Sequence, residues 1–286
     1  MINTIHTAEG TIEFADVGSG PPVLYFHGIL SGSDVALLCE KSLLEDGFRL
    51  IIPHRPGYLG TRLKGYHHSY AAACADVAAQ VLDHLGIERA NVIGTSAGGP
   101  PAMDFAIRHP ERTSGLVLQC AQIHRWDSVD WLPVAHQWTL PWLKVSWTRW
   151  LACFGYFWMS RFASGQPKNC LKGWAGRRFS EIQDDENAIR VADIFTKKRT
   201  GLRGFCNDMT VFACDDVLSK GNVDCPTLIL HDPLDDTVPI RHAEYAASHI
   251  PNAQLVKLNL GGHYLWAGRE ITTMQSTRSQ FLRQHS

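Results

Sequence analysis

Three short segments, far apart in the chain, carry the residue types of an activated serine. Ser96 lies in "VIGTSAGGPP" (92–101), with a glycine two positions before it and another two positions after it. His263 lies in "NLGGHYLW" (259–266), and "HDPLDDTVP" (231–239) contains three aspartates. A serine hydroxyl becomes a strong nucleophile when a base takes its proton, and a histidine base needs a carboxylate to orient its ring. Together these segments contain the groups for attack on a carbonyl carbon.

Ser96 lies between a predicted strand and a predicted helix. The apolar run "ANVIG" (90–94) ends just before it, and a helix of about a dozen residues is predicted after it. At such a turn the serine adopts an unfavourable backbone conformation, and Gly94 and Gly98 are needed because larger side chains would collide with it. The turn raises the serine oxygen above the sheet. It also leaves the Ala97 amide at a helix start, where it can stabilise an anionic oxygen.

The positions of His263 and of the three aspartates relative to the predicted strands make them candidates for the base and the acid. With fourteen histidines in the chain a structural role is the default for each, but His263 lies in a glycine-containing loop directly after the last predicted strand. The other position for the acid, after the strand ending at Ala121, has no carboxylate before Asp127. The acid is therefore expected in the loop after the preceding strand, which leaves three candidates open: Asp232, Asp235 and Asp236.

The elements around these segments alternate between strand and helix patterns. Strand, helix and strand joined by short connections indicate a parallel sheet with right-handed crossovers. A helix over 69–86 is predicted to start at a Ser69 cap and to end before Gly86. Other helices are expected after Ser96, over 240–250 and from about residue 269. Strands covered on both faces are predicted at 21–28 and 48–57, and further strands at 90–94, 114–121, 226–232 and 253–262.

Between residues 122 and 215 this alternation breaks down. No clear strand occurs there, and the segment contains eight of the nine tryptophans, at positions 126, 131, 138, 142, 147, 150, 158 and 174. We predict a Trp-rich helical cap over 122–215, inserted into a core domain formed by 1–121 and 216–286. Most of these tryptophans are expected to pack inside the insert, and some to provide apolar surface above Ser96.

The composition narrows the range of partners. The 27 basic and 28 acidic residues nearly cancel, so the positive field typical of nucleic-acid binding is not expected. A small-molecule substrate is the partner that remains. The pair His67 and His68 lacks further ligands at metal-binding spacing, and we predict neither a metal nor a cofactor. The basic runs at 176–178 and 196–200 are expected to be solvated faces, with attraction of an acidic substrate as the alternative.

The N-terminal segment, the cysteines and the longest apolar run predict a cytoplasmic protein without a membrane span. The first 22 residues do not have the pattern of a secretory signal, and the eight cysteines have no CxxC spacing, which favours reduced thiols. The apolar segment 140–159 is interrupted by Pro141, Lys144 and Arg149, so packing within the protein is favoured over spanning a bilayer.

With serine, aspartate and histidine in this order, each after its expected strand, the chain resembles the α/β-hydrolases over about 190 residues, nearly everything outside the predicted insert. The resemblance implies an α/β-hydrolase fold, with a mostly parallel central sheet flanked by helices and a helical cap. In the family's "D-x-x-V-P" ending the acid lies three residues before the valine, which implies Asp235, with Asp236 as the rival. The resemblance also implies that the residue after "H-G" in "HGIL" (27–30), here Ile29, supplies the second oxyanion amide and that His27 is structural.

Two departures from the family pattern accompany this resemblance. "HRPGYLGT" (54–61) resembles a run found in these hydrolases, but His54 replaces a frequent aspartate. His231 likewise replaces a frequent glycine before the acid.

The resemblance implies a serine hydrolase that cleaves carboxylic esters of small or medium apolar substrates through an acyl-enzyme. Ser96 attacks, His263 transfers the proton and Asp235 orients His263, while the amides of Ile29 and Ala97 bind the oxyanion. Alternatives on the same scaffold are a carbon–carbon bond hydrolase, a lactonase, a perhydrolase, or a non-catalytic ligand-binding homologue. A serine at position 96 disfavours dehalogenases and epoxide hydrolases, which need a carboxylate there.

Overall fold

The computed structural model describes residues 2–65, 69–128, 166–197 and 201–286, together with seven residues between 142 and 158. Within them one sheet is formed by β1 (Ile2–Thr7), β2 (Gly10–Val17), β3 (Pro22–Phe26), β4 (Arg49–Pro53), β5 (Arg62–Leu63), β6 (Ala90–Thr95), β7 (Thr113–Gln119), β8 (Thr227–His231) and β9 (Gln254–Lys257).

The strand order is β1-β2-β4-β3-β6-β7-β8-β9, and β5 pairs with β2. From β4 to β9 every neighbouring pair along this order is parallel, whereas the pairs of β2 with β1, β4 and β5 are antiparallel. The predicted α/β fold with a mostly parallel central sheet is therefore confirmed.

The antiparallel hairpin of β1 and β2 was not predicted. Residues along β1 alternate between exposed and partly buried, because this strand forms the edge of the sheet and covers little apolar surface. The central strands differ: all residues of β6 and β8 are buried, as expected for strands covered on both faces. The prediction depended on continuous apolar runs, and an edge strand does not have one.

Helices cover both faces of the sheet. Those described are α1 (Ser33–Cys39), α2 (Lys41–Glu45), α3 (Tyr70–His84), α4 (Gly99–Arg108), α5 (Pro167–Ala175), α6 (Phe179–Ile182), α7 (Glu186–Lys197), α8 (Leu202–Cys214), α9 (Arg241–His249) and α10 (Ile271–Gln284). The cap predicted for α3 is confirmed, since the Ser69 hydroxyl accepts from the Ala72 amide, and Gly86 follows its end at φ +65°.

The alternation of side chains along β3 divides the core into two layers. Leu24 and Phe26 pack in the layer that contains α3 and α4, whereas Val23 and Tyr25 pack in the layer that contains α2 and α10. Full burial of one such apolar side chain contributes about 1.5–3 kcal/mol. The two layers hold the central strands, and with them the loops at their carboxyl ends, in place.

The described part of the predicted insert is helical and packs on the core through a third apolar cluster. This cluster contains Val35 of α1 and Tyr264 from the core together with Leu171 of α5 and Val191 of α7 from the insert. The division at 122 and 215 remains a prediction. The tryptophans at 131, 138, 147 and 150, and the histidines at 67 and 68, lie outside the described residues. Among the helices that are described, none is long and apolar enough to cross a membrane.

Candidate active site

Ser96 occupies a strained turn between β6 and α4. Its φ is +53°, in the left-handed region that side chains rarely adopt, and a 3₁₀ turn over Ser96–Gly98 leads into the helix. A Cβ at Gly94 would lie 2.5 Å from the Ala102 side chain, and one at Gly98 would lie 2.0 Å from the Phe26 carbonyl oxygen. Both glycines are thus required by close contact, as predicted, but the neighbours are Ala102 and Phe26 and not the serine itself.

The structure places His263 beside this serine. Its Nε2 lies 2.9 Å from the Ser96 Oγ. The preceding Gly262 has φ +69°, and a Cβ there would lie 2.7 Å from the Ala175 carbonyl oxygen. The His263 amide donates to the Trp174 carbonyl at 3.0 Å. The C-terminal end of α5, within the predicted insert, therefore holds the loop that carries the histidine.

Asp235 is the aspartate that the structure joins to His263. Its Oδ2 lies 2.8 Å from the Nδ1 of the ring, and its Oδ1 accepts from the amides of Thr237 and Val238, both at 2.8 Å. The rival Asp236 points elsewhere and pairs with Arg177 at 2.9 Å on the surface. The geometry therefore brings Asp235, which the family pattern implies, to the ring and directs its rival Asp236 to Arg177.

The pKa values of this pair shift in opposite directions. Burial by itself raises the pKa of Asp235, but the charge and hydrogen bond of His263 outweigh it and bring the pKa below its ordinary value. Burial lowers the pKa of His263, yet the charge of Asp235 and its hydrogen bond more than offset this, so the pKa lies well above its ordinary value. Asp235 thus stabilises the imidazolium that forms when the ring takes a proton.

The two predicted oxyanion amides belong to Ala97, which follows Ser96 in the chain, and to Ile29. The Ser96 carbonyl accepts from the Gln122 amide at 3.0 Å, and in a trans peptide this turns the Ala97 N–H to the opposite side. Ile29 lines the same cavity as Ser96, and a Cβ on the neighbouring Gly28 would lie 3.5 Å from the Ser96 Cβ. The residues predicted to bind an oxyanion are therefore brought together at the serine.

His54 and His231, which replace a frequent aspartate and a frequent glycine of the family, form hydrogen bonds that hold the structure together. His54 donates from Nδ1 to Glu13 at 2.7 Å and accepts from the Ser33 amide at 3.3 Å, which ties the start of α1 to the sheet. His231 donates to the Val238 carbonyl at 2.9 Å, behind the acid. Burial lowers the pKa of His231, so this ring is neutral and keeps that bond.

A second aspartate connects the loops of the acid and the base. Asp232 accepts from the amides of Leu260 at 2.9 Å and Gly262 at 3.2 Å, and from the Leu234 amide at 2.8 Å. Arg178, just after α5, donates to the same carboxylate at 3.2 Å. One carboxylate thus fixes the spacing of the two loops that carry Asp235 and His263.

The prediction of a solvated face at 176–178 is wrong for Arg178. Only 9% of this residue is exposed, because it contacts Asp232, Glu181 and Asn259. Arg177 is more exposed but is paired with Asp236. Both guanidinium groups are thus paired with carboxylates of the chain, Arg178 in the interior and Arg177 at the surface.

A cavity of about 80 Å³ lies beside Ser96 and His263. Among the described residues that line it, His263 is the only one with a basic or acidic side chain. Trp174 is the lining tryptophan that belongs to the predicted insert. The apolar side chains around it are Ile29, Val35, Ala36, Trp174, Val191, Phe195 and Trp266.

Cys120 is a lining residue that sequence reasoning missed. It follows β7 with φ +40°, and its thiol interacts with the ring of His263. Burial raises the pKa of this thiol, which keeps it protonated. The signal available in the sequence was its position directly after a central strand, at the same sheet edge as the acid and the base. In the described part of the chain no cluster of three or more ligand side chains could hold a metal ion.

A mostly parallel sheet, a serine on a left-handed turn after a central strand, and an acid and a histidine after the last two strands define the class of α/β-hydrolases. A family model described as alpha/beta hydrolase fold matches residues 21–266. The chain belongs to this family and is a hydrolase.

Individual proteins resemble the chain over its whole length. It is 30% identical over 291 residues, covering 98% of each chain, to the uncharacterized hydrolase YcgS of Bacillus subtilis (strain 168). The solved structure of an α/β-hydrolase fold protein from Nakamurella multipartita has 27% identity, a TM-score of 0.76 and 99% coverage of each chain. A thermophilic esterase from Thermogutta terrifontis (malate bound) has a TM-score of 0.74 and covers 100% of each chain, but at 22% identity the likeness concerns the fold alone.

Proposed function

We propose that this hydrolase is a serine esterase acting on carboxylic esters with small or medium, uncharged acyl groups. The observation that carries the proposal is the hydrogen-bonded series from Ser96 Oγ through His263 to Asp235, with separations of 2.9 and 2.8 Å. A base within hydrogen-bonding distance of a serine, itself oriented by a carboxylate, is the arrangement that activates a hydroxyl for acyl transfer.

The reaction follows from this arrangement. Ser96 Oγ bonds to the ester carbonyl carbon while its proton passes to His263 Nε2. The amides of Ile29 and Ala97 donate to the oxyanion that forms. His263 then gives the proton to the departing alcohol, which leaves an acyl-enzyme. Water, deprotonated by the same ring, attacks the acyl carbon, releases the acid and restores the serine. Asp235 accepts from Nδ1 throughout and stabilises the imidazolium.

The charge of the cavity supports neutral substrates over anionic ones. A carbon–carbon hydrolase acting on a diketone-like acid would need a cation for the substrate carboxylate. The guanidinium groups of Arg177 and Arg178 are engaged by Asp236 and Asp232, and Lys197 pairs with Asp193 at 2.6 Å. Residues 198 and 199 of the other basic run lie outside the described residues. The apolar lining favours acyl groups that bind by burial, with a gain of about 1–3 kcal/mol per methylene.

A labelling experiment tests the nucleophile. A fluorophosphonate probe should modify wild type and a Ser31→Ala variant, in which a neighbouring cavity serine is removed, but not Ser96→Ala. Mass spectrometry of the labelled peptide should place the adduct on Ser96. Labelling that persists in Ser96→Ala would remove this residue from the nucleophile role.

A substrate panel tests the reaction. p-Nitrophenyl esters from acetyl to palmitoyl should be hydrolysed by wild type and not by Ser96→Ala, with kcat/KM highest for short or medium chains. A maximum at palmitoyl would contradict a small cavity covered by the predicted cap. Equal, negligible turnover by both proteins, together with no labelling, would favour a non-catalytic ligand-binding protein.

A further inference from the structure

A buried ion pair, not used by the reaction above, lies behind the loop that carries Ile29. Arg55 follows β4 in the core, and Asp208 lies on α8 in the predicted insert, with side chains that are 1% and 2% exposed. Both guanidinium nitrogens Nη1 and Nη2 donate to the two carboxylate oxygens, and the Tyr58 hydroxyl donates to the same carboxylate. Burying two charges has a large desolvation cost, so the pair is poor evidence of a contribution to stability alone.

The arginine of this pair also contacts the oxyanion loop (27–30). Arg55 Nη2 donates to the Gly28 carbonyl at 2.9 Å. The Arg55 amide donates to His27 Nε2 at 3.2 Å, which leaves the proton of that ring on Nδ1, and Nδ1 donates to the same Gly28 oxygen at 2.9 Å. The carbonyl is thus held by two donors, the Arg55 side chain and the His27 ring, and the tautomer of that ring is set by the Arg55 backbone amide.

This carbonyl belongs to the peptide whose amide is that of Ile29. Peptides in the described chain are trans, so the N–H and the C=O point in opposite directions. With the Gly28 oxygen turned towards Arg55, the Ile29 N–H is directed to the other side of the peptide. Gly28 itself lies against Ser96, where a Cβ would be 3.5 Å from the serine Cβ. The orientation of one oxyanion donor therefore depends on a side chain.

We infer that Arg55 and Asp208 are positioning residues for the oxyanion site: Asp208 holds the guanidinium, the guanidinium holds the Gly28 carbonyl, and the carbonyl aims the Ile29 amide at the substrate. The inference rests on the proposed function. It gives the predicted insert a role beyond covering the cavity, because Asp208 on α8 helps to position a group that binds the transition state.

The test uses two variants with different demands on folding. Asp208→Asn keeps the shape of the side chain and removes the charge, whereas Arg55→Met combined with Asp208→Leu removes both charges and leaves none unpaired. Arg49→Met combined with Asp16→Leu is the matched control. It removes a two-bond ion pair with both distances at 2.8 Å, between β4 and β2.

Turnover is measured per site titrated with a fluorophosphonate, so that misfolded protein does not contribute. Complete loss of one oxyanion donor lowers kcat by about 10²–10³-fold. Because the His27 ring still donates to the Gly28 carbonyl in the double variant, we expect a loss of about 10- to 10²-fold there and a smaller loss in Asp208→Asn, with KM little changed. Affinity for a trifluoromethyl ketone, whose hemiketal oxygen occupies the oxyanion site, should fall by the same factor as kcat. The control should match wild type in both measurements.

Two outcomes have different meanings. In the first, kcat per titrated site and affinity for the trifluoromethyl ketone remain within about threefold of wild type in the double variant. The ion pair is then structural only and the inference is wrong. If the double variant does not fold, Asp208→Asn is judged by the same criterion. If wild type itself is neither labelled nor active on the ester panel, the proposed function fails first, independently of Arg55 and Asp208.

Discussion

Two ion pairs, one on each side of Ser96, join the predicted insert to the core with opposite polarity. On the side of the base, Arg178 of the insert contacts Asp232 of the core at 3.2 Å. On the side of the oxyanion, Asp208 of the insert contacts Arg55 of the core. Each core partner in turn holds backbone groups of a loop next to the serine.

The two ion pairs differ in how strongly the loop that each one holds depends on the insert. Asp232 accepts from three backbone amides of the core, so it remains bound when Arg178 is removed. Arg55 reaches the Gly28 carbonyl through a long side chain whose direction is set by Asp208. The base side is thus held mainly by backbone, and the oxyanion side by a side chain. We expect substitutions in the insert to affect the oxyanion side more.

The largest expected effect is on the base side, in Asp235→Asn. An asparagine can favour the wrong tautomer of His263, and the loss in kcat can approach about 10⁴-fold, as it does for the corresponding change in a serine protease. Asp236→Asn is the matched control, since that carboxylate lies one residue away and pairs with Arg177. Steady-state kinetics on one ester compare the two, and the reverse ranking would make Asp236 the acid.

Asp232→Asn should have the next largest effect. Its carboxylate joins the acid loop to the amides of Leu260 and Gly262, and displacement of a catalytic group by about 1 Å can lower the rate by about 10²-fold. We expect a loss of this order in kcat per titrated site. An unchanged kcat in folded protein would mean that the apolar core alone sets the spacing of the two loops.

The pH dependence of kcat/KM distinguishes the side of the base from the side of the oxyanion. Protonated His263 cannot accept the serine proton, so kcat/KM should fall about tenfold per pH unit below its pKa, which lies above the ordinary value of 6.5. Asp235→Asn should move this limb to lower pH, because the negative charge that raises the pKa is removed. Asp208→Asn should leave the limb in place while lowering the plateau. A shifted limb in Asp208→Asn would contradict separate roles for the two sides.

The smallest effect is expected for Arg178→Met. Asp232 keeps its amide partners, so kcat per titrated site should stay within about threefold, while the free energy of unfolding falls by about 1–3 kcal/mol from the lost charged hydrogen bonds. Denaturant unfolding and titrated kinetics measure the two quantities. A loss in kcat as large as that of the Arg55 and Asp208 double variant would remove the contrast between the two ion pairs.

Much of the fold and of the candidate site could be predicted from local patterns. Central strands such as β6 and β8 are buried on both faces and have continuous apolar runs. Ser96 follows β6 directly, and His263 lies in the loop after β9. In a parallel sheet such positions meet at one edge, so their order along the chain predicts that they meet in space. The edge hairpin of β1 and β2 lacks that pattern and was missed.

The sequence by itself determined which residue types follow each strand, and hence the class of fold and the serine and histidine of the candidate site. Tertiary structure decided which side chains from remote segments meet. It places Asp235, and not Asp236, at the His263 ring, and it buries Arg178 against Asp232. It also joins Arg55 to Asp208 across 153 positions of the chain. The physical reason is range. Strand and turn patterns express local backbone preferences, whereas an ion pair between remote residues is set by the packing that brings its partners together.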